Sequence, residues 1–224
     1  MLFEKRGYRR GYRQDLQRPV EFVYFLTMPI RVISLEHHQF YIRYRLHTGN
    51  MKLVPQSLQA FLLEIFDHVP KDLFTHPENP GCSGMRMQPE IDIRESSDHP
   101  VIGYAQESRT HTKFKSRHEN LQQWFLLNDP LAIVAELPVW MDEPESKKHL
   151  GLCFPLTGHI DLLRCDGPKI EIWDYKPNAK REKWAKAQVY LYARLLSLRA
   201  NIPLDNITCG YFDESVAFTF SPDG

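Results

Sequence analysis

The stretch that most constrains this chain runs over residues 156–192, LTGHIDLLRCDGPKIEIWDYKPNAKREKWAKAQVYLY, which parses as strand, tight turn, strand, helix. Asp166-Gly167-Pro168 is turn punctuation between two apolar runs, the pattern of a β-hairpin. A register symmetric about the Gly167–Pro168 turn sets Asp161 opposite Asp174. On the second strand Ile170, Ile172, Asp174 and Lys176 share one face, because strand side chains alternate, and the isoleucines mark that face as buried. Directly opposed residues have Cβ atoms about 4.5–5.5 Å apart, and like charges so placed repel. Two partly buried carboxylates there need a shared proton or a cation, and a hard divalent ion such as Mg²⁺ or Mn²⁺ suits oxygen ligands. Lys176 adds an ammonium one pleat further on. Two acids, a metal and a lysine are the parts that phosphodiester hydrolysis uses, the metal activating water and the lysine holding the water or a phosphate oxygen. A D-x-K triplet alone is common on solvated surfaces. The aspartate on the preceding strand, the apolar run entering the triplet and the helix after it favour the chemistry.

Gly158-His159-Ile160-Asp161, then Ile170-Glu171-Ile172-Trp173-Asp174-Tyr175-Lys176, then Gln188-Val189-Tyr190-Leu191-Tyr192 resemble the three central motifs of the PD-(D/E)XK nuclease superfamily, in order and at plausible spacing. The nearest flavour is the RecB-like exonuclease branch, whose pattern is G-x-h-D, a spacer, h-h-D-x-K, then a helix with Q-x-x-x-Y. The resemblance covers roughly the second half of the chain. It implies an α/β fold with a restriction-endonuclease-like core, a mixed central β-sheet flanked by helices, over residues 112–224. It implies a Mg²⁺- or Mn²⁺-dependent deoxyribonuclease, with a free-end preference by analogy alone. Work in DNA repair, or beside a helicase or in a recombination or defence complex, follows from the same likeness. A site-specific endonuclease, or a non-catalytic protein that binds nucleic acid or a partner on a nuclease fold, are the alternatives.

Other features bound this reading. The chain has 224 residues and a formal net charge of zero, so nucleic-acid contact has to come from local basic patches. No apolar run is long enough to span a membrane, the start lacks the apolar core of a secretory signal, and a cytoplasmic protein is expected. The four cysteines, Cys82, Cys153, Cys165 and Cys209, are scattered and read as reduced thiols. Iron–sulfur members of the branch carry one cysteine before the nuclease core and three after it. Only Cys209 follows here, so no cluster is expected.

Residues 1–111 read as a β-rich extension with one amphipathic helix, packed on the core. Residues 1–19 interleave Lys5, Arg6, Arg9, Arg10, Arg13 and Arg18 with Tyr8 and Tyr12, as a single-strand tracking surface does and as a solvated arm also does. Residues 20–28 read as a strand. QFYIRYRLH, residues 39–47, reads as another, with Arg43 and Arg45 either on phosphate or on the wet side of a sheet. Residues 57–69 follow helical spacing through Leu58, Phe61, Leu62, Ile65, Phe66 and Val69, with Ser57 as cap. Residues 76–84 are loop-like, and residues 85–110 are weakly patterned apart from a short alternating strand with Glu90 and Asp92 on an exposed face.

Ser116-Arg117-His118-Glu119 reads as a capping box opening a helix to about Asn128. Residues 131–140 form an apolar strand interrupted by Glu136, an acid that is costly there unless paired or metal-bound. Residues 141–149 read as a charged loop, and residues 206–212 and 216–220 as closing strands. By the resemblance, His118 occupies the position of a metal-binding histidine, Asp161, Asp174 and the Tyr175 carbonyl complete its ligands, and Glu136 orients metal or water. Gln188 and Tyr192, one helical turn apart, steady the site and the DNA backbone. His159 is assigned to substrate contact or packing. Lys180, Arg181 and Lys183 open the helix after the active strand, placed to meet phosphate.

Overall fold

The computed structural model describes residues 29–37 and 40–223. The basic arm of residues 1–19 and the strand expected at 20–28 lie outside the described residues. Fourteen helices and strands of the described chain position the site: β1 (Ile30–His37), β2 (Phe40–His47), α1 (Gln56–Glu64), α2 (Lys71–Thr75), β3 (Arg94–Ser96), α3 (Pro100–Glu107), α4 (Arg117–Asn128), β4 (Ala132–Met141), α5 (Glu143–Leu150), β5 (Leu156–Asp166), β6 (Lys169–Tyr175), α6 (Ala185–Ala200), β7 (Ile207–Phe212) and β8 (Ala217–Phe220). The fold is mixed α/β around one eight-stranded sheet in the order β1-β2-β4-β5-β6-β7-β8-β3. Only β6 and β7 run parallel, joined by a crossover through α6, and every other neighbouring pair is antiparallel.

The sheet divides two cores. Under α1 and α6, Leu58, Phe61, Val189, Leu191 and Leu195 pack on Leu137, Ile160, Leu163, Ile170 and Ile172. On the opposite face α3 and α4 set Val101, Ile102, Leu121 and Phe125 against Ala135, Leu162, Trp173 and Phe212. Each face buries a helix stripe against alternate strand residues, the arrangement that lets a sheet remain dry on both sides. The sheet runs through the whole described chain: β1, β2 and β3 from the N-terminal half are strands of the same layer as β4–β8.

The register of the central hairpin follows from its turn. Gly167, with φ of 61°, adopts a backbone that a side chain would strain, and with Pro168 it forms a two-residue connection. The ladder then runs from Asp166↔Lys169 to Leu162↔Trp173, the symmetric pairing about that turn, and stops there. Asp161 and Asp174 are the next residues, at the mouth where the two strands part.

Several local expectations need correction. The 57–69 helix begins at Gln56 with Pro55 before it, without a side-chain cap from Ser57, and ends at Glu64. Residues 88–93 lie outside any strand and pairing begins at Arg94. Residues 85–110 contain α3, whose start is marked by His99 accepting from the Val101 N–H and by Pro100. Residues 141–149 are a helix rather than a loop: Asp142 and Glu145 form a reciprocal capping box, and Gly151 ends α5 in the left-handed conformation. At α4, Ser116 does accept from the Glu119 N–H, at 3.5 Å. The Glu119 carboxylate, however, turns to Arg43 and Arg45, because two guanidiniums outbid one backbone amide. Arg45 is therefore not on a wet face. It is 2% exposed.

Candidate metal centre

Three elements deliver the site. α4 carries His118 in its first turn, β4 carries Glu136, and β5 carries Asp161. His118 Nε2 lies 3.2 Å from Asp161 Oδ1 and 3.4 Å from Glu136 Oε1. Among the described residues these three form the one group whose ligand atoms all lie within 4.8 Å of one another.

The strands reach this geometry by a break in side-chain alternation. Glu136 has φ of 57°, in the left-handed region that non-glycine residues rarely adopt. On β4, Val134 and Leu137 both enter the core under α6 although they are three residues apart, while Ala135 enters the opposite core. On β5, Ile160 and Leu163 do the same around Leu162. A regular strand sends residues three apart to opposite faces. Alternation therefore breaks on both strands at one level, yet the pairs Ala135↔Leu162 and Leu137↔Ile160 keep a single register. Glu136 and Asp161 stand opposite each other in that gap, and both carboxylates are freed to meet His118.

β6 supplies the second acid and the lysine. Asp174 is 1% exposed. Its Oδ2 lies 2.7 Å from Lys176 Nζ, and its Oδ1 accepts from Gln188 Nε2 at 3.4 Å. Gln188 also donates to the Tyr192 hydroxyl at 2.6 Å, so the two α6 residues act as one bracket beneath Asp174. Tyr192 fits there because residue 158 is glycine: a Cβ at that position would come within 2.5 Å of Tyr192 Cε1. The Tyr175 N–H donates to Asp161 Oδ2 at 3.0 Å, holding Asp161 across the parted strands.

Charge at the site is unevenly shared. Burial works against a charged His118, but the carboxylates of Asp161 and Glu136 outweigh it and push its pKa up to about 11. Burial would raise Asp161, yet His118, Lys176 and the Tyr175 amide draw it below the usual carboxylate range. Asp174 goes the other way: burial and then the neighbouring Asp161 charge raise it, despite Lys176. Lys176 is itself raised, since the two aspartates overcome its desolvation. An imidazolium thus sits among carboxylates where a divalent ion could replace its proton. Two carboxylates and one imidazole form an oxygen-dominated set suited to Mn²⁺ or Mg²⁺.

The remaining expected residues sort clearly. Glu136, expected as an assistant, is in the ligand group, and Asp174 stands beside it on Lys176. The Tyr175 hydroxyl donates to Glu214 at 3.0 Å, and the carbonyl expected as a ligand belongs to its backbone, at the last residue of β6. His159 is packed against His37 and Phe74, with ring centroids 4.7 and 5.2 Å away, and burial drives its pKa down to about 3. It is a neutral packing residue. Lys180 pairs with Glu95 at 2.7 Å on a short turn before α6, and Arg181 and Lys183 are exposed nearby. Sequence reasoning missed Gln122, which is fully buried and donates to Glu136 Oε1 at 2.6 Å. Its position one turn after His118 on the same helix face was the available clue.

Compared with protein-family models, with curated proteins and with solved structures, the chain matches none of them.

Proposed function

We propose that the protein is a Mg²⁺- or Mn²⁺-dependent nuclease of the PD-(D/E)XK type, a DNA exonuclease of the RecB-like kind acting in the cytoplasm. One observation carries this reading: Asp161, Asp174 and Lys176 stand where β5 and β6 part, with His118 and Glu136 converging on the same point. The order of elements supports it: α4 with His118, β4 with Glu136, β5 with Asp161, β6 with Asp174 and Lys176 just after it, and α6 with Gln188 and Tyr192 follow in the order of the motifs, with α5 between β4 and β5.

His118, Glu136 and Asp161 would hold the ion, with the Tyr175 carbonyl and Asp174 completing its surroundings. When bound, the ion supplies Lewis acidity and a water of lowered pKa. Lys176 positions the attacking water or a non-bridging phosphate oxygen and offsets charge as it develops. Gln188 and Tyr192 keep Asp174 in place. Lys180, Arg181 and Lys183 lie on the approach to α6, where backbone phosphates of a bound strand would meet them. A helicase or a recombination or defence complex is the kind of assembly such an activity serves.

The test is cleavage of end-labelled linear and covalently closed circular DNA with Mg²⁺ or Mn²⁺, comparing wild type with Asp174→Ala. Linear DNA should be degraded and circles spared. The variant should be slower by about a thousandfold or more. Equal activity in the variant would remove the site, and nicking of circles would favour the endonuclease alternative.

A further inference from the structure

Arg45 belongs to β2, outside the segment that carries the nuclease motifs, yet it reaches the metal centre. β2 joins β4 through two pairs, Arg45↔Ala135 and Leu46↔Val134, and Ala135 is the residue before Glu136. The Arg45 guanidinium is buried and faces two partners: Nη1 donates to Gln122 Oε1 at 3.2 Å, and Nη2 donates to Glu119 Oε1 at 2.9 Å. Gln122 in turn donates to Glu136 Oε1.

The chemistry of the amide makes this chain directional. A guanidinium has only donors, so the end of Gln122 facing Arg45 must be its carbonyl oxygen. Its NH₂ is thereby forced onto Glu136. Were the amide reversed, its oxygen would sit at hydrogen-bond distance from a carboxylate oxygen and repel it. Glu119, the acid that balances Arg45, also pairs with Arg43 at 3.0 Å. Besides Gln122, the Glu136 carboxylate meets His118 Nε2, at the longer distance of 3.4 Å.

We infer that Arg45 is a positioning residue for the metal centre, locking the Gln122 amide so that Glu136 is held in its ligating orientation, and that the β1–β2 hairpin is thereby a working part of the site. This rests on the reading of His118, Glu136 and Asp161 as ligands of a divalent ion. Groups that orient a metal ligand typically change metal affinity by about 10–100-fold when removed.

The experiment is calorimetric titration of Mn²⁺ into the full chain, comparing wild type, Arg45→Met, Gln122→Leu, the double variant and Arg45→Lys, with thermal unfolding of each metal-free protein alongside. Each single apolar substitution should weaken Mn²⁺ by about 10–100-fold. The double variant should bind no worse than the weaker single, since both act through one chain. Arg45→Lys, which still has only donors to offer the amide, should stay within a few-fold of wild type. Effects of Arg45→Met and Gln122→Leu that multiply, or wild-type affinity in either, would overturn the inference. If Arg45→Met fails to fold, Gln122→Leu and Arg45→Lys decide it on the same criteria. A wild type that binds Mn²⁺ without cutting DNA removes the nuclease reading while the affinity pattern still decides the role of Arg45. A wild type that binds no Mn²⁺ overturns both.

Discussion

At the turn end of the β5–β6 hairpin, Arg164 is buried against Asp129, donating through Nε at 2.6 Å, and reaches Glu171 with its other arm. Asp129 also accepts from the Leu131 N–H at 3.0 Å, and Glu171 from the Trp173 indole at 2.9 Å. At the parted end, Glu136, Asp161 and Asp174 face His118 and Lys176. Both ends bury charge within one hairpin. The cation at the turn end is an arginine, which does not give up its proton. One cation at the parted end is a proton on histidine, which can be exchanged for a metal. The first arrangement is closed and holds the fold, and the second is open at the place where the proposed chemistry would occur.

The comparison is broken most sharply by Asp174→Asn. Cleavage should fall by about a thousandfold or more, yet thermal unfolding should stay at or above the wild-type midpoint. The folded-state pKa of Asp174 is raised, so its ionised form opposes folding as pH rises past the ordinary carboxylate value, and an amide relieves that. A large drop in the unfolding midpoint would show that the parted end is structural after all. The opposite profile belongs to Arg164→Met. It strands Asp129, which is 2% exposed, and should destabilise the fold by about 3–5 kcal/mol in denaturant titration while leaving Mn²⁺ affinity unchanged.

A gentler test uses pH. Below the ordinary histidine pKa, His118 is protonated whether folded or unfolded and its ion pairs stabilise the metal-free protein fully. That contribution fades as pH climbs toward about 11. Metal must expel the same proton, so Mn²⁺ affinity should rise by up to about tenfold per pH unit through neutrality. His118→Ala should bind about 10–100-fold more weakly and should lose the part of the slope due to that proton. A wild-type affinity indifferent to pH would mean that His118 is not the group displaced.

Much of the parted end was legible in sequence because its determinants are local. A two-residue turn at Gly167–Pro168 sets the register, and the register sets Asp161 at the level of Asp174. An acid inside an apolar run announced Glu136. What escaped depends on contacts far along the chain. Arg45 looks like a solvated strand residue until Glu119 and Gln122, more than 70 residues away, close over it. The break in alternation on β4 and β5 at Glu136 and Asp161 was hidden as well, since strand patterning assumes unbroken alternation. The helix α5 was overlooked because its residues, EPESKKHL, show no apolar stripe, although Asp142 and Glu145 carry a complete start motif.

The left-handed backbone at Glu136 has a consequence for anyone improving this protein. Glycine there would relieve about 1–3 kcal/mol of conformational strain but would also remove a carboxylate that pairs with His118 and accepts from the buried Gln122. Heat tolerance at position 136 is therefore a contest between backbone relief and the pairing of His118, and any thermal selection of this chain has to be run with metal uptake as a counter-screen.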